Sequence, residues 1–196
     1  MIGSLRGRIA SKSPPQLMVD VGGLGYELEA PMSTYFHLPA VGEEVRLLTH
    51  LVVREDAHVL YAFATEEERR LFRSLIKVSG VGPKIALALL SGISVAAFAE
   101  CVQREDTAAL TRIPGVGRKT AERLIVEMRD RLAAPGLGGG ATPAAAGASA
   151  ESEAYGALVA LGYRPAEATR LLKAVGPGTH STEELIRRAL QGAVRE

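Results

Sequence analysis

Apolar and polar residues alternate along the first 63 residues, which is the pattern of half-buried β-strands. Tyr26 and Leu28 flank Glu27, and in a second run Val59, Tyr61 and Phe63 alternate with Leu60 and Ala62. Glycine and proline turn signals separate the short runs. About five short strands are too few for a two-sheet sandwich, so residues 1–63 are predicted to form a small closed β-barrel of the OB kind.

The hydrophobic period changes from two to about 3.6 after residue 64. Thr65 and Glu68 have the spacing of a capping box, and Leu71, Phe72 and Leu75 follow at helical spacing. This pattern predicts an all-helical domain over 64–134.

A segment without charge follows the helical domain. Residues 133–150 hold eight Ala, five Gly and two Pro, which is typical of a flexible tether, and we expect a linker at 135–151. A three-helix bundle is predicted over 152–196, with helices at 153–161, 165–175 and 181–190. The fold class expected for the whole chain is α+β multidomain.

Charge is distributed unevenly among these parts. The whole chain has a net charge of only +1, which excludes a uniformly basic nucleic-acid coat. Residues 1–63 carry 5 basic and 7 acidic side chains, whereas 64–134 carry 12 and 9. Any surface that attracts a polyanion is therefore expected in the helical domain.

The sequence does not indicate a metal site, a disulfide or a membrane-spanning segment. Cys101 has no second cysteine to pair with, and the four histidines are scattered along the chain. No apolar run approaches the roughly 18 residues of a membrane span, and no signal peptide follows Met1. We expect a soluble cytoplasmic protein without metal or cofactor.

A repeat with a period of 35 residues lies in the helical domain. The segment LIKVSGVGPKIA at 75–86 matches LTRIPGVGRKTA at 110–121. In each copy a helix runs into Gly-Val-Gly and a second helix begins. The first glycine suits the left-handed conformation that ends a helix, and the second lets a ligand approach the backbone.

An anion is the expected ligand of these two loops. The first N–H groups of each second helix lack partners, and Lys84 and Lys119 add a cation one turn in. A single copy would equally fit a tight interhelical turn, but two copies with matching lysines favour a phosphate cradle. Dinucleotide and P-loop motifs do not fit, because Ile85 and Thr120 replace the third glycine and Arg118 separates Gly117 from Lys119.

The paired loops resemble helix-hairpin-helix motifs, which hold the DNA backbone without reading bases. Other basic residues close to the loops are Lys77, Arg112, Arg129 and Arg131. Of these, Arg129 and Arg131 are expected to pair with acidic residues of a solvated helix face, namely Glu122, Glu127 or Asp130. The predicted contacts to the DNA backbone are Gly80, Val81, Gly82, Lys84, Gly115, Val116, Gly117, Arg118, Lys119, Thr120 and Arg123.

The chain as a whole resembles the RuvA family, the bacterial subunits that bind Holliday junctions in the RuvAB branch-migration complex. The similar segments are MIGxLRG at 1–7, VGGxGYE at 21–27, THxVVREDA at 49–57, GVGPK at 80–84, KTAERLIVEM at 119–128 and LVALGY at 158–163.

The resemblance implies a non-catalytic DNA-binding subunit that forms a homotetramer on an open four-way junction, with one or two tetramers per junction. Glu55 and Asp56 match the family's acidic pin at the junction centre, although in isolation they read as an ordinary polar turn. The implied protein partners are the hexameric ATPase RuvB and the resolvase RuvC. The predicted motor-binding residues of the last domain are Leu158, Leu161, Tyr163, Leu171 and Leu172, most of which the bundle also needs for its own core.

Two other functions fit parts of this sequence. A helix-hairpin-helix glycosylase needs a catalytic carboxylate, and Asp130, between two arginines, is the one nearby candidate. An OB-type single-strand binder needs aromatic rings on which bases stack, and the chain has no tryptophan and 5% aromatic residues.

Overall fold

The computed structural model describes residues 1–133, 150–175 and 181–193. The chain divides into two compact units, Met1–Ala141 and Thr142–Glu196. The predicted barrel and the predicted helical domain thus lie in one unit, and the C-terminal helices lie in the other.

Five strands close into a barrel at the start of the first unit, as the alternating pattern predicts. They are β1 (Ser4–Ser13), β2 (Gln16–Val21), β3 (Leu24–Glu29), β4 (Glu44–Val53) and β5 (His58–Phe63). The order around the barrel is β1-β2-β3-β5-β4, and only the β3–β5 pair is parallel. At Gly7 in β1 a Cβ atom would lie 2.1 Å from the carbonyl oxygen of Asp20, so this position requires glycine.

Strand β5 contributes to two different cores. Leu60 and Ala62 are buried inside the barrel. Tyr61 and Phe63, on the other face, pack against Phe72 with ring centroids 4.9 Å apart in both pairs. Both faces of β5 are therefore buried, and the strand joins the barrel to the helices.

The helices of the first unit follow the barrel, apart from one short helix between β3 and β4. They are α1 (Met32–Tyr35), α2 (Glu66–Leu75), α3 (Pro83–Gly92), α4 (Val95–Gln103), α5 (Thr107–Thr111) and α6 (Arg118–Ala133). The predicted capping box at the start of α2 is confirmed, since Thr65 accepts from the Glu68 N–H and the Glu68 carboxylate accepts from the Thr65 N–H.

The Glu68 carboxylate also fixes the barrel to α2. It is buried and accepts hydrogen bonds from the Thr34 hydroxyl at 3.0 Å and the Ala64 N–H at 3.2 Å. The next residue, Arg69, donates from Nη1 to the carbonyl oxygen of Gly3 at 2.7 Å. A buried carboxylate needs such donors to offset its lost hydration, so these bonds set the orientation of α2 on the barrel.

The second unit consists of α7 (Ala150–Ala160), α8 (Pro165–Val175) and α9 (Thr182–Ala193) among its described residues. Helix α7 begins within the predicted linker, and residues 134–149 of that region lie outside the described ones. The core of this unit is formed by Ala154, Leu158, Ala168, Leu171, Leu172, Leu185 and Ala189. The three predicted helices are present.

Within the described ranges, no three His, Cys, Asp or Glu side chains come together in a metal-binding group. In the same residues, no single helix has both the length and the apolar character needed to cross a membrane. Helices α3 and α4 meet that test only when taken together across a 98° bend.

Candidate nucleic-acid interface

The two Gly-Val-Gly loops have the same backbone conformation. Gly80 and Gly115 both have φ of +85°, a value that non-glycine residues rarely adopt. Each loop is also closed by equivalent backbone hydrogen bonds, of which Val81 N to Val78 O at 3.0 Å and Val116 N to Ile113 O at 3.1 Å are one pair. The sequence repeat is therefore a structural repeat.

The valine and the second glycine of each loop have opposite surroundings. Val81 and Val116 are buried in the helical core, which anchors the loop. By contrast, a Cβ atom at Gly82 or Gly117 would meet no other atom within 4 Å. The backbone at these two glycines therefore faces open space, which leaves room for a ligand.

Each loop leads into a helix whose first N–H groups lack intrahelical partners. Helix α3 begins after Gly82, which provides no side-chain cap, and α6 begins after Gly117 in the second loop. The exposed N–H groups and the helix dipole favour an anion at these positions. Lys84 and Lys119 are exposed in the first turn of α3 and α6, where their charge adds to this effect.

Contacts between the two hairpins fix one loop against the other. Arg123 in α6 donates from Nη1 to the carbonyl oxygen of Ser79 at 3.1 Å. In return, a Cβ atom at Gly115 would lie 3.7 Å from the side chain of Ile85 in α3. Arg123 was predicted only as a DNA contact, and nothing in its local sequence indicates this bond, which depends on the packing of α6 beside the first loop.

Several of the basic residues near the loops are held by other side chains. Arg118 pairs with Glu122 at 3.0 Å. Arg131 pairs with Glu127 at 3.5 Å and donates to the Ser74 carbonyl oxygen. The expected ion pair with an acidic residue of the same helix is confirmed for Arg131.

The partner of Arg129 differs from the three acidic residues expected for it. Arg129 pairs with Glu105, which lies between α4 and α5 and has a positive φ of 55°. The Asp130 side chain, the candidate for a glycosylase, lies outside the described residues.

Glu55 and Asp56 lie at the tip of the β4–β5 hairpin. Val53 and His58 form the last strand pair, and the Arg54 N–H donates to the Ala57 carbonyl oxygen at 2.9 Å. Both acidic side chains are exposed. The tip therefore presents two adjacent carboxylates to solvent.

The strand that leads to this tip is held against α2 by His50. The imidazole ring makes an edge contact with Phe72, with centroids 5.7 Å apart. The Arg73 Nε–H donates to Nδ1 at 3.3 Å. Burial, together with the positive charges of Arg73 and Arg69, lowers the pKa of His50, so the neutral ring is the form that fits this contact.

The five predicted motor-binding residues do not form one surface. Leu158, Leu171 and Leu172 are buried in the core of the C-terminal unit, so they serve its packing, and their contact with a partner stays a prediction. Leu161 is 62% exposed and Tyr163 is half-buried, so these two side chains are accessible.

A helix-ending turn exposes Leu161. Gly162 has φ of +100°, its N–H donates to Val159 O, and the Tyr163 N–H donates to Leu158 O. These two bonds define a Schellman motif. Val159, which is 38% exposed, lies two residues before Leu161 in the chain and was not singled out from the sequence. We call Val159, Leu161 and Tyr163 the α7 end patch.

Family models match three successive parts of the chain. The RuvA N-terminal domain matches 1–62, the SAM-like helix-hairpin-helix tandem matches 72–130, and the RuvA C-terminal domain matches 149–193. Together they cover the barrel, both loops and the C-terminal helices. They support the interpretation as a RuvA-type protein and not the glycosylase alternative.

Curated relatives match over the full length. A protein of Methylococcus capsulatus is 56% identical over 202 residues, covering 100% of both chains. A protein of Thioalkalivibrio sulfidiphilus is 58% identical, again over 100% of both chains. Both are named Holliday junction branch migration complex subunit RuvA. With the barrel, the repeated Gly-Val-Gly loops and this similarity along the whole chain, the protein belongs to the RuvA family.

Proposed function

We propose that this protein recognises four-way DNA junctions, holds them open and square-planar, and recruits the RuvB ATPase for branch migration. The observation that carries the proposal is the structural identity of the two loops. Each presents unpaired helix N–H groups, an open glycine and an exposed lysine, which together suit one phosphate of a nucleic-acid backbone. Ligands of this kind recognise the sugar-phosphate backbone rather than base edges, so we expect the shape of the DNA rather than its sequence to decide binding.

Specificity for a junction needs several copies of the chain. In a homotetramer, each chain supplies two loops to one duplex arm, and the four β4–β5 tips meet at the centre. Glu55 and Asp56 would then place eight carboxylates where the strands cross. Their repulsion of phosphates disfavours continuous duplex at the centre and favours separated strands.

The C-terminal unit is the proposed contact to RuvB, and the ATPase activity belongs to RuvB rather than to this chain. Exposed apolar side chains at the α7 end patch suit a protein partner. The uncharged segment before α7 would keep that partner at high local concentration while it moves. The RuvC resolvase acts on the same junction and is proposed as a further partner, with the cytoplasm as the site of action.

A gel-shift titration tests the proposal. The purified full-length chain is titrated against a synthetic four-way junction and a linear duplex of equal length at the same salt concentration. We expect strong preference for the junction, and weaker binding to both DNAs when Lys84 and Lys119 are changed to Ala. Equal affinity for junction and duplex would overturn junction recognition and leave a general duplex binder.

A further inference from the structure

The basic side chains of the helical part of the first unit fall into two groups. Twelve Lys and Arg residues lie between 64 and 133. In eight of them the side chain forms an ion pair or a hydrogen bond with another described residue, and these are Arg69, Arg70, Arg73, Arg104, Arg118, Arg123, Arg129 and Arg131. The other four, which have no such partner among the described residues, are Lys77, Lys84, Arg112 and Lys119.

These four residues are two pairs related by the repeat. Lys84 and Lys119 follow the two loops, as described above. Lys77 and Arg112 precede the loops by three residues and are also 35 positions apart. Their backbones are equivalent as well, because the Lys77 N–H donates to Ser74 O at 3.3 Å and the Arg112 N–H donates to Ala109 O at 3.4 Å.

We propose that Lys77 and Arg112 are phosphate ligands, so that each loop holds the DNA backbone between two cations. The inference rests on the proposed function, because it assigns new residues to the same interface. Both side chains are exposed, and neither forms an ion pair with an acidic side chain in the part of the chain that the structure describes. An anion bound at either loop would therefore have one cation on the preceding turn and another on the following helix.

Chemical differences between the two residues distinguish the two hairpins. The Arg112 guanidinium presents a planar set of donors that can bind a phosphate with two hydrogen bonds, whereas the Lys77 ammonium acts as a point charge. The first hairpin also has Pro83 at the position of Arg118, and proline supplies no N–H group. The second hairpin therefore offers more donors and is expected to hold its phosphate more tightly.

The salt dependence of junction binding tests this assignment. Lys77→Gln and Arg112→Gln are made separately in the full-length chain, and binding to a synthetic four-way junction is measured from about 50 to 200 mM salt. Removing one cation from a phosphate makes the slope of log K against log salt less steep by about 0.9 for every chain in the complex. The matched control is Arg104→Gln, which removes one exposed charge of the same unit that is already paired with Glu100.

We expect both glutamine variants to flatten the slope, with the larger loss of affinity for Arg112→Gln, and Arg104→Gln to keep the parental slope. The charge-preserving variants Lys77→Arg and Arg112→Lys should also keep it. Parental slopes for Lys77→Gln and Arg112→Gln would overturn the inference. If Lys84→Ala and Lys119→Ala flatten the slope in that case, the loops still bind DNA and only Lys77 and Arg112 are excluded as phosphate ligands. If they do not, the proposed loop interface fails as well.

Discussion

Arg123 and Ser79 join the two halves of the repeat, since the guanidinium Nη1 of α6 donates to the carbonyl oxygen at the start of the first loop at 3.1 Å. Because Ser79 immediately precedes Gly80, the bond holds a side chain of the second hairpin against the first loop. It also leaves other N–H groups of the same guanidinium for a phosphate, because arginine has five donors. Arg123 is thus both a predicted DNA contact and a support for the neighbouring loop.

Arg123→Ala is expected to weaken junction binding partly by loosening the first loop. The loss of affinity from Arg123→Ala should be smaller when the first loop no longer binds phosphate. The free-energy losses from Arg123→Ala and Lys84→Ala are therefore not expected to be additive. A coupling free energy of about 0.5 kcal/mol or more in the double-mutant cycle is expected for interacting residues. Affinities of the two single variants and the double variant for the junction measure it.

A control cycle pairs Arg123→Ala with Arg104→Ala, and the two losses of affinity should be additive. Arg104 forms an ion pair with Glu100 at the end of α4. Additive losses for Arg123 with Lys84 would show that Arg123 acts independently of the first loop.

Neutralising the β4–β5 tip should weaken discrimination against plain duplex. Glu55→Gln with Asp56→Asn removes two exposed carboxylates without changing side-chain size, so the repulsion of phosphates at the tip disappears. We expect affinity for linear duplex to rise several-fold more than affinity for the junction. Parallel titrations against both DNAs measure the ratio.

The control for this variant changes the same amount of charge elsewhere. Glu67→Gln with Glu183→Gln removes two exposed carboxylates from α2 and α9, and the ratio of the two affinities should stay at the parental value. If the tip variant and this control change the ratio equally, net charge and not the tip decides it.

The α7 end patch should be needed for motor stimulation and not for DNA binding. Leu161→Ser replaces a side chain that is 62% exposed, so it should leave the stability of the C-terminal unit nearly unchanged while removing an apolar contact. We expect loss of RuvB ATPase stimulation with unchanged junction affinity. The control is Leu24→Ser, at a 58% exposed leucine that begins β3, and this variant should stimulate the RuvB ATPase normally.

Retained stimulation by Leu161→Ser would remove that leucine from the contact. The combined variant Val159→Ser with Leu161→Ser then decides whether the neighbouring valine carries it. Parental ATPase stimulation by both variants would mean that RuvB contacts another surface of the C-terminal unit.

Stability should fall on mild acidification because of His50. Its pKa is lowered in the folded protein by burial and by the charges of Arg73 and Arg69, so the unfolded chain takes up the proton first. The contribution of the neutral ring is complete above about pH 6.5, the ordinary histidine value, and is lost as the pH falls from there toward the lower folded pKa.

His50→Gln should therefore show a shallower fall in the free energy of unfolding than the parent between about pH 7.5 and 5.5, the range around the ordinary histidine pKa. Urea unfolding at each pH measures it. His58→Gln, at the exposed start of β5, should follow the parental curve. A parental curve for His50→Gln would mean that its protonation is not linked to folding.

Local patterns in the sequence were sufficient to predict the strands, the helices and the two Gly-Val-Gly loops. The two-residue alternation around Glu27 predicts a strand because neighbouring side chains of a strand point to opposite faces. The capping box at Thr65 and Glu68 marks the start of α2 through contacts made within four residues. The repeat around Gly80 and Gly115 predicts equal loops, because glycine at a left-handed position is a local requirement.

Only the tertiary structure decided which residues of these elements are available to a partner. Leu158 and Leu161 are three residues apart and equally apolar, yet one is in the core and the other is exposed, because α7 ends at Ala160 and the turn at Gly162 leaves Leu161 outside the core. The run at 59–63 is apolar throughout, and packing against Phe72 determines that both faces of β5 are buried. The bond from Arg123 to Ser79 joins residues 44 positions apart, and no local pattern encodes a contact that depends on how two helices pack.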